Sequence, residues 1–160
     1  MPIAIIPAYD HPEVIRELFT EYTEMLVEGD PAFAKYLTIQ NYDKEIEDLS
    51  YKYGMPQGRL YLAYQDNDVV GCIALRMLDA ENCEMKRLYV RPQFRGKHYG
   101  RILCEKIISD ANEIGYRHML LDTLPFLKTA IAMYRDIGFY EIPQYNDSPL
   151  DTTIFMKLDL

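Results

Sequence analysis

The run Arg95-Gly96-Lys97-His98-Tyr99-Gly100 contains the residue types from which proteins build anion sites. It follows a strand-like segment, Met85 to Val90, and leads into an amphipathic helical pattern that begins near Arg101. The first turn of a helix leaves backbone N–H groups without partners, and the helix dipole adds partial positive charge there. Glycine lets the backbone approach an oxygen that a side chain would block. Arg91, Arg95, Lys97 and Arg101 also reverse the local sign in a chain whose formal net charge is −8. Together these features suit a phosphate group. The spacing excludes two common phosphate loops. There is no Gly-Lys-Ser/Thr end for a Walker loop, and Gly96 and Gly100 fall short of the three glycines of a dinucleotide fingerprint. Taken alone, the segment is equally consistent with an ordinary strand-to-helix turn bearing solvated arginines.

A second block lies downstream. Leu121-Asp122-Thr123 reads as a strand, and Ala130-Ile131-Ala132-Met133-Tyr134-Arg135-Asp136-Ile137-Gly138-Phe139 as a short helix with a glycine stop. Arg95-x-x-x-x-Gly100 resembles the pyrophosphate loop of the GNAT superfamily of N-acetyltransferases, and Ala-x-x-x-Tyr-x-x-x-Gly-Phe resembles that family's later signature. The two blocks span residues 83 to 141 in the family's order. Leu121-Asp122-Thr123-Leu124-Pro125 with Glu141-Ile142-Pro143 is similar to a bacterial subgroup of small acetyltransferases. Two positions depart from the pattern. His98 stands where the family usually has its first loop glycine, and Leu127 where it has an asparagine near the start of the second helix.

The resemblance implies acetyl transfer from acetyl-CoA, as co-substrate, to the amine of a small molecule or peptide, without a metal. An ammonium of pKa about 10 must lose a proton before it attacks, the tetrahedral oxyanion needs a donor, and a thiolate of pKa about 8.5 must depart. By this resemblance Tyr134 is the general acid, near the CoA sulfur, and Glu84 a general base acting through a water. An exposed strand carboxylate paired with Lys86 or Arg87 is the competing reading of Glu84. Backbone groups of Leu88, Tyr89 and Val90 would hold the pantetheine arm. Those of Arg95, Gly96, Lys97, His98, Tyr99, Gly100 and Arg101 would hold the pyrophosphate. Tyr22, Phe33, Tyr36, Asp122, Tyr145 and Asp151 are candidates for the acceptor pocket. A non-catalytic CoA-binding or sensing module of the same fold is the alternative, against which the tyrosine at 134 argues. Many such proteins form homodimers, a state this sequence neither requires nor excludes.

The elements that must position these residues follow from periodicity. Ile3 to Ile6 reads as a strand ended by Pro7, and Asp10 as the N-cap of a helix that runs to about Glu28 and stops at Gly29-Asp30-Pro31. A second helix is expected from about Asp43, with Tyr42, Ile46, Leu49 and Tyr53 on one face. Leu60 to Tyr64, Val69 to Leu78 and Cys83 to Val90 form an antiparallel meander, the first two joined at Asp66-Asn67-Asp68. Strict alternation along the third would set Glu84, Lys86 and Leu88 opposite Met85, Arg87 and Tyr89. A helix from the loop to Gly115, a strand at 118–123, the short helix at 129–136 and closing strands at 139–141 and 153–158 complete the order β-α-α-β-β-β-α-β-α-β-β. Bottom-up, this is a mixed α/β chain. The resemblance sharpens it to a mostly antiparallel sheet with helices on both faces, one domain over residues 1–160.

Composition narrows the function classes. An acidic balance, 25 Asp and Glu against 17 Lys and Arg, disfavours nucleic acid and anionic membrane as partners. No apolar run approaches the eighteen or so residues that span a bilayer, and the first residues lack the basic flank of a signal peptide, so a cytoplasmic protein is expected. Cys72, Cys83 and Cys104 sit in apolar patterns at spacings that suit neither disulfides nor zinc, and read as small buried hydrophobes.

Overall fold

A computed structural model of the chain describes residues 3–39 and 42–160. Seven strands among these residues form one sheet in the order β1-β2-β3-β4-β5-β7-β6. The strands are β1 (Ala4–Pro7), β2 (Arg59–Gln65), β3 (Asp68–Met77), β4 (Asn82–Val90), β5 (His118–Thr123), β6 (Tyr140–Ile142) and β7 (Ile154–Asp159). Every neighbouring pair is antiparallel except β4 and β5, which run parallel. The helices are α1 (Pro12–Gly29), α2 (Phe33–Ile39), α3 (Tyr42–Glu47), α4 (Leu49–Tyr53), α5 (Tyr99–Ile114) and α6 (Lys128–Ile137). No helix among the described residues is long and apolar enough to cross a membrane.

Two local expectations are corrected. Helix α1 begins at Pro12 with His11 as its cap, not at Asp10, and no side chain caps it. Proline is preset for the first helical position and has no N–H to satisfy there. The single helix expected near residue 43 is two short ones. Asp48 adopts an extended conformation, its N–H closing α3 on the Lys44 carbonyl (3.0 Å) and its carbonyl opening α4 to the Tyr51 N–H (3.1 Å). Aspartate competes poorly for helix interiors and well for such junctions.

Two apolar layers hold the sheet. On one face Leu103, Cys104, Ile107 and Ala111 of α5, all fully buried, pack on Ile73, Leu75 and Met85. Burial of each large aliphatic side chain contributes about 1.5–3 kcal/mol. On the other face Ile15, Leu18 and Phe19 of α1 meet Leu60, Leu62, Cys72 and Tyr89.

Strand β4 departs from strict alternation. Cys72 pairs with Tyr89 and Ala74 with Lys86, so β4 spends three residues where β3 spends two. This is a β-bulge, centred on Arg87 with φ 58°. A left-handed conformation is uncommon for a long side chain and must be held by its surroundings. The bulge resets the strand. Met85, Leu88 and Val90 face the α5 layer, while Lys86 and Arg87, adjacent in sequence, both turn away from it. Leu88 therefore lies on the face opposite to the one that alternation assigns it.

Candidate active site

The parallel pair β4–β5 is short. Asn82, Cys83 and Glu84 pair with His118, Met119 and Leu120, and the ladder stops there, whereas β5 continues to pair with β7 as far as Thr123 and Ile154. Beyond Glu84 and Leu120 the two strands part, and a cleft opens in the sheet. Leu88 of β4, Asp122 of β5, Tyr134 of α6, Tyr22 of α1, Tyr36 of α2 and Lys86 line it, with Leu127 among the apolar residues of its wall.

The cleft edge of β4 carries backbone groups that no strand pairs. The Arg91 N–H donates to the Val70 carbonyl (2.8 Å), and antiparallel bonding alternates by residue. That alternation directs the backbone of Tyr89 toward β3 and the backbones of Leu88 and Val90 toward the cleft. Of the three residues expected to hold a pantetheine arm, Leu88 and Val90 thus present their groups to it. The Val90 carbonyl already accepts Arg95 Nε (3.0 Å).

At the cleft mouth the chain passes a short 3-10 turn (Pro92–Phe94) and enters α5 through two left-handed residues, Gly96 (φ 80°) and His98 (φ 64°). The first turn of α5 is uncapped by any side chain. Alternating left- and right-handed residues point successive N–H groups inward as an anion-binding nest. The geometry also accounts for His98. The backbone there is the kind glycine adopts freely, and histidine is among the residues that tolerate it best. At Gly100 an added Cβ would meet Val90 and Met133 at 3.8 and 4.0 Å, so space does not demand the glycine.

The basic residues divide. Arg91 is tied to Glu17 (2.6 Å) and Glu21 (2.8 Å), and Arg101 to Glu105 (2.8 Å) and Asp136. Among the described residues Arg95 and Lys97 have no carboxylate partner. Arg95 lies against the Tyr89 ring and Met25, and Lys97 is exposed near Phe94. These two supply the uncompensated charge at the mouth. Tyr99 is buried and donates its hydroxyl to Gln65, a structural role for its side chain.

Tyr134 is buried against Phe139, and its hydroxyl makes no hydrogen bond among the described residues. Burial, reinforced by Tyr22, Cys104 and Asp122, pushes its pKa well above the usual phenol value, so the group is a proton-bearing donor at neutral pH. Glu84 is placed differently from expectation. It is the last residue of β4 paired with β5, is 3% exposed, and accepts a hydrogen bond from Tyr145 through Oε2. Neither is it the exposed strand carboxylate of the competing reading. Arg76 and Lys86 lie 3.7 and 4.0 Å from its Oε1, and no hydrogen bond from the described residues reaches that oxygen. Asp122 is the carboxylate in the cleft, its Oδ2 accepting from Tyr36 and from Asn146 (2.7 Å). Of the other acceptor candidates, Tyr22, Phe33 and Tyr36 line the cleft, Tyr145 stands behind it on Glu84, and Asp151 is exposed outside it.

A buried ion cluster supports the bulge. Arg87 makes a two-point contact with Glu45 of α3 (2.7 and 3.0 Å), and Lys52 adds a third (3.0 Å). The Phe19 and Tyr42 rings flank the guanidinium at 5.9 and 5.4 Å. Burial alone would raise the Glu45 carboxyl, but Arg87, then Lys52 and Lys86, outweigh it and hold the pKa at about 2. No sequence signal marks this cluster, because its partners lie 42 residues apart. The thiols take no part. Burial pushes Cys83 and Cys104 up to about 12 and Cys72 further, which leaves them un-ionised and inert.

Comparison with known proteins bears on the family and the fold. The profile of the Acetyltransferase (GNAT) family matches residues 14–139. An uncharacterised N-acetyltransferase of Schizosaccharomyces pombe is 37% identical over 130 residues, covering 80% of each chain. Another from Dictyostelium discoideum is 30% identical over an alignment of 222 residues that covers 100% of both. The crystal structure of the PaiA N-acetyltransferase of Thermoplasma acidophilum, in complex with coenzyme A, superposes with a TM-score of 0.78 over 100% of each chain at 18% identity.

Proposed function

Because the chain belongs to the GNAT acetyltransferase family and is an acetyltransferase, we propose that the cleft between β4 and β5 binds acetyl-CoA and an amine together and transfers the acetyl group directly. The observation that carries this reading is the parting of the two strands beyond Glu84 and Leu120, with Tyr134 facing the gap. A pantetheine arm can complete the sheet there, hydrogen-bonding to Leu88 and Val90 as a missing strand would. The N–H groups from Gly96 to Arg101, with Arg95 and Lys97, receive the pyrophosphate.

In the reaction the amine nitrogen attacks the thioester carbon, and the C=O electron pair moves to oxygen. A backbone N–H on the cleft edge of β4 stabilises that oxyanion. On collapse the C–S bond breaks and its pair leaves on sulfur. Tyr134 donates a hydrogen bond to the departing thiolate. Its raised pKa makes complete proton transfer to a thiolate of pKa about 8.5 unfavourable, so its contribution is charge stabilisation. The proton lost by nitrogen passes to Asp122, which stands in the cleft, in preference to Glu84, which does not. Holding both substrates in one cleft supplies most of the remaining acceleration.

The test is calorimetric titration with acetyl-CoA, followed by thiol release with a panel of amines. Saturable binding and amine-dependent release support the reading. Binding without release from any amine would instead establish a CoA-binding module. Tyr134→Phe is expected to lower kcat about 100-fold with little change in acetyl-CoA affinity. A wild-type rate would remove Tyr134 from the mechanism.

A further inference from the structure

Lys86 is a buried cation in the cleft wall. It is 7% exposed, lines the cleft, and its Nζ makes no hydrogen bond among the described residues. The carboxylate oxygen within reach, Glu84 Oε1, is 4.0 Å away and itself accepts no hydrogen bond from the described residues. An ammonium buried with so loose a partner is costly to keep. The buried carboxylate nearby, Glu45, is already held by Arg87 (2.7 and 3.0 Å) and Lys52 (3.0 Å), which leaves Lys86 no ion pair closer than 4.0 Å among the described residues. The CoA pyrophosphate does not account for this cation. Lys86 is four residues, roughly 10–13 Å, before the end of β4 at Val90, and the loop that receives phosphate begins beyond that point. Asp122 offers the opposite charge in the same cleft, with Oδ2 occupied by Tyr36 and Asn146 and Oδ1 accepting no hydrogen bond among the described residues.

We propose that the acceptor is an amine that also carries a carboxylate, an amino acid or a close analogue, with the carboxylate held by Lys86 and the amine directed to Asp122. This rests on the acetyl-transfer reading and specifies its substrate class. Thiol release from acetyl-CoA is measured with sets of acceptors that share a skeleton: the free amino acid, its methyl ester, and the amine lacking the carboxyl group. The free acids are expected to show kcat/KM on the order of 100-fold higher, mostly through KM, as charged hydrogen bonds of this kind typically contribute. Lys86→Met is expected to collapse that ratio toward one, and Lys86→Arg to retain most of it. Acetyl-CoA titration of each variant confirms that the fold and the cofactor cleft persist.

Equal turnover of acids, esters and plain amines by the wild-type protein would overturn the inference and leave acetyl transfer standing. So would a preference that survives in Lys86→Met. If succinyl-CoA replaces acetyl-CoA with a Lys86-dependent gain, the carboxylate belongs to the acyl donor and the acceptor assignment falls. Absence of release with every amine would instead defeat the acetyl-transfer reading, and this inference with it.

Discussion

The two faces of the central sheet are built on different principles. The α5 face is an apolar layer in which Leu103, Ile107, Ile73 and Leu75 are wholly buried. The α1 face begins the same way, with Ile15, Leu18 and Phe19, but beside β4 it becomes a set of charges, the buried Glu45, Lys86 and Arg87 with the half-buried Lys52. A buried ion pair adds little stability over a well-packed apolar one, yet breaking it leaves a stranded charge. The apolar face fixes where β4 and α5 lie. The charged face fixes the bulge in β4 and the character of the cleft. One strand serves both, because its extra residue lets consecutive side chains share a side.

The largest effect should come from separating the charges. Glu45→Ala leaves the Arg87 guanidinium buried without its principal partner and should cost about 3–5 kcal/mol in urea unfolding. A loss no greater than that of a surface substitution would show that the ion cluster is not holding the strand. On the opposite face Leu103→Ala should cost about 2–5 kcal/mol through lost burial and the cavity left behind. The two variants should differ in how their stability responds to acid. The folded Glu45 carboxyl is held at about 2, below the value of about 4.3 for an unfolded glutamate. Its stabilisation is therefore complete above about pH 4.3 and is lost as the pH falls toward 2, a contribution on the order of 3 kcal/mol. Leu103→Ala should keep this acid limb and Glu45→Ala should flatten it; identical pH profiles for the two would erase the distinction between the faces. The smallest effect is at the loop. Gly96→Ala forces a side chain into a left-handed conformation, although the space is open, and should cost about 1 kcal/mol together with some acetyl-CoA affinity.

What the sequence disclosed was what depends on neighbouring residues. The meander, the α5 stripe, the glycine-bearing loop and the Tyr134 helix all follow from spacing within a few positions, and each is present at or near its expected bounds. What it concealed depends on register and on distant partners. A bulge at Arg87 is one residue of slip, and nothing in Met85-Lys86-Arg87-Leu88 announces it. Alternation therefore misplaced Leu88, and it gave no hint that Arg87 is paired with a glutamate from α3. Glu84 is a candidate base through the family resemblance, and its burial behind Tyr145 emerges only when the β6–β7 connection folds over it. Asp122 was visible as one acceptor candidate among six, and the parting of the strands singles it out.

That parting also bears on stability. Beyond Glu84 no strand among the described residues pairs the cleft edge of β4, the kind of edge on which an added strand docks. The bound cofactor arm would occupy that edge. Acetyl-CoA should then raise the protein's melting temperature by clasping the two halves of the sheet, one ligand acting as both reagent and fastener.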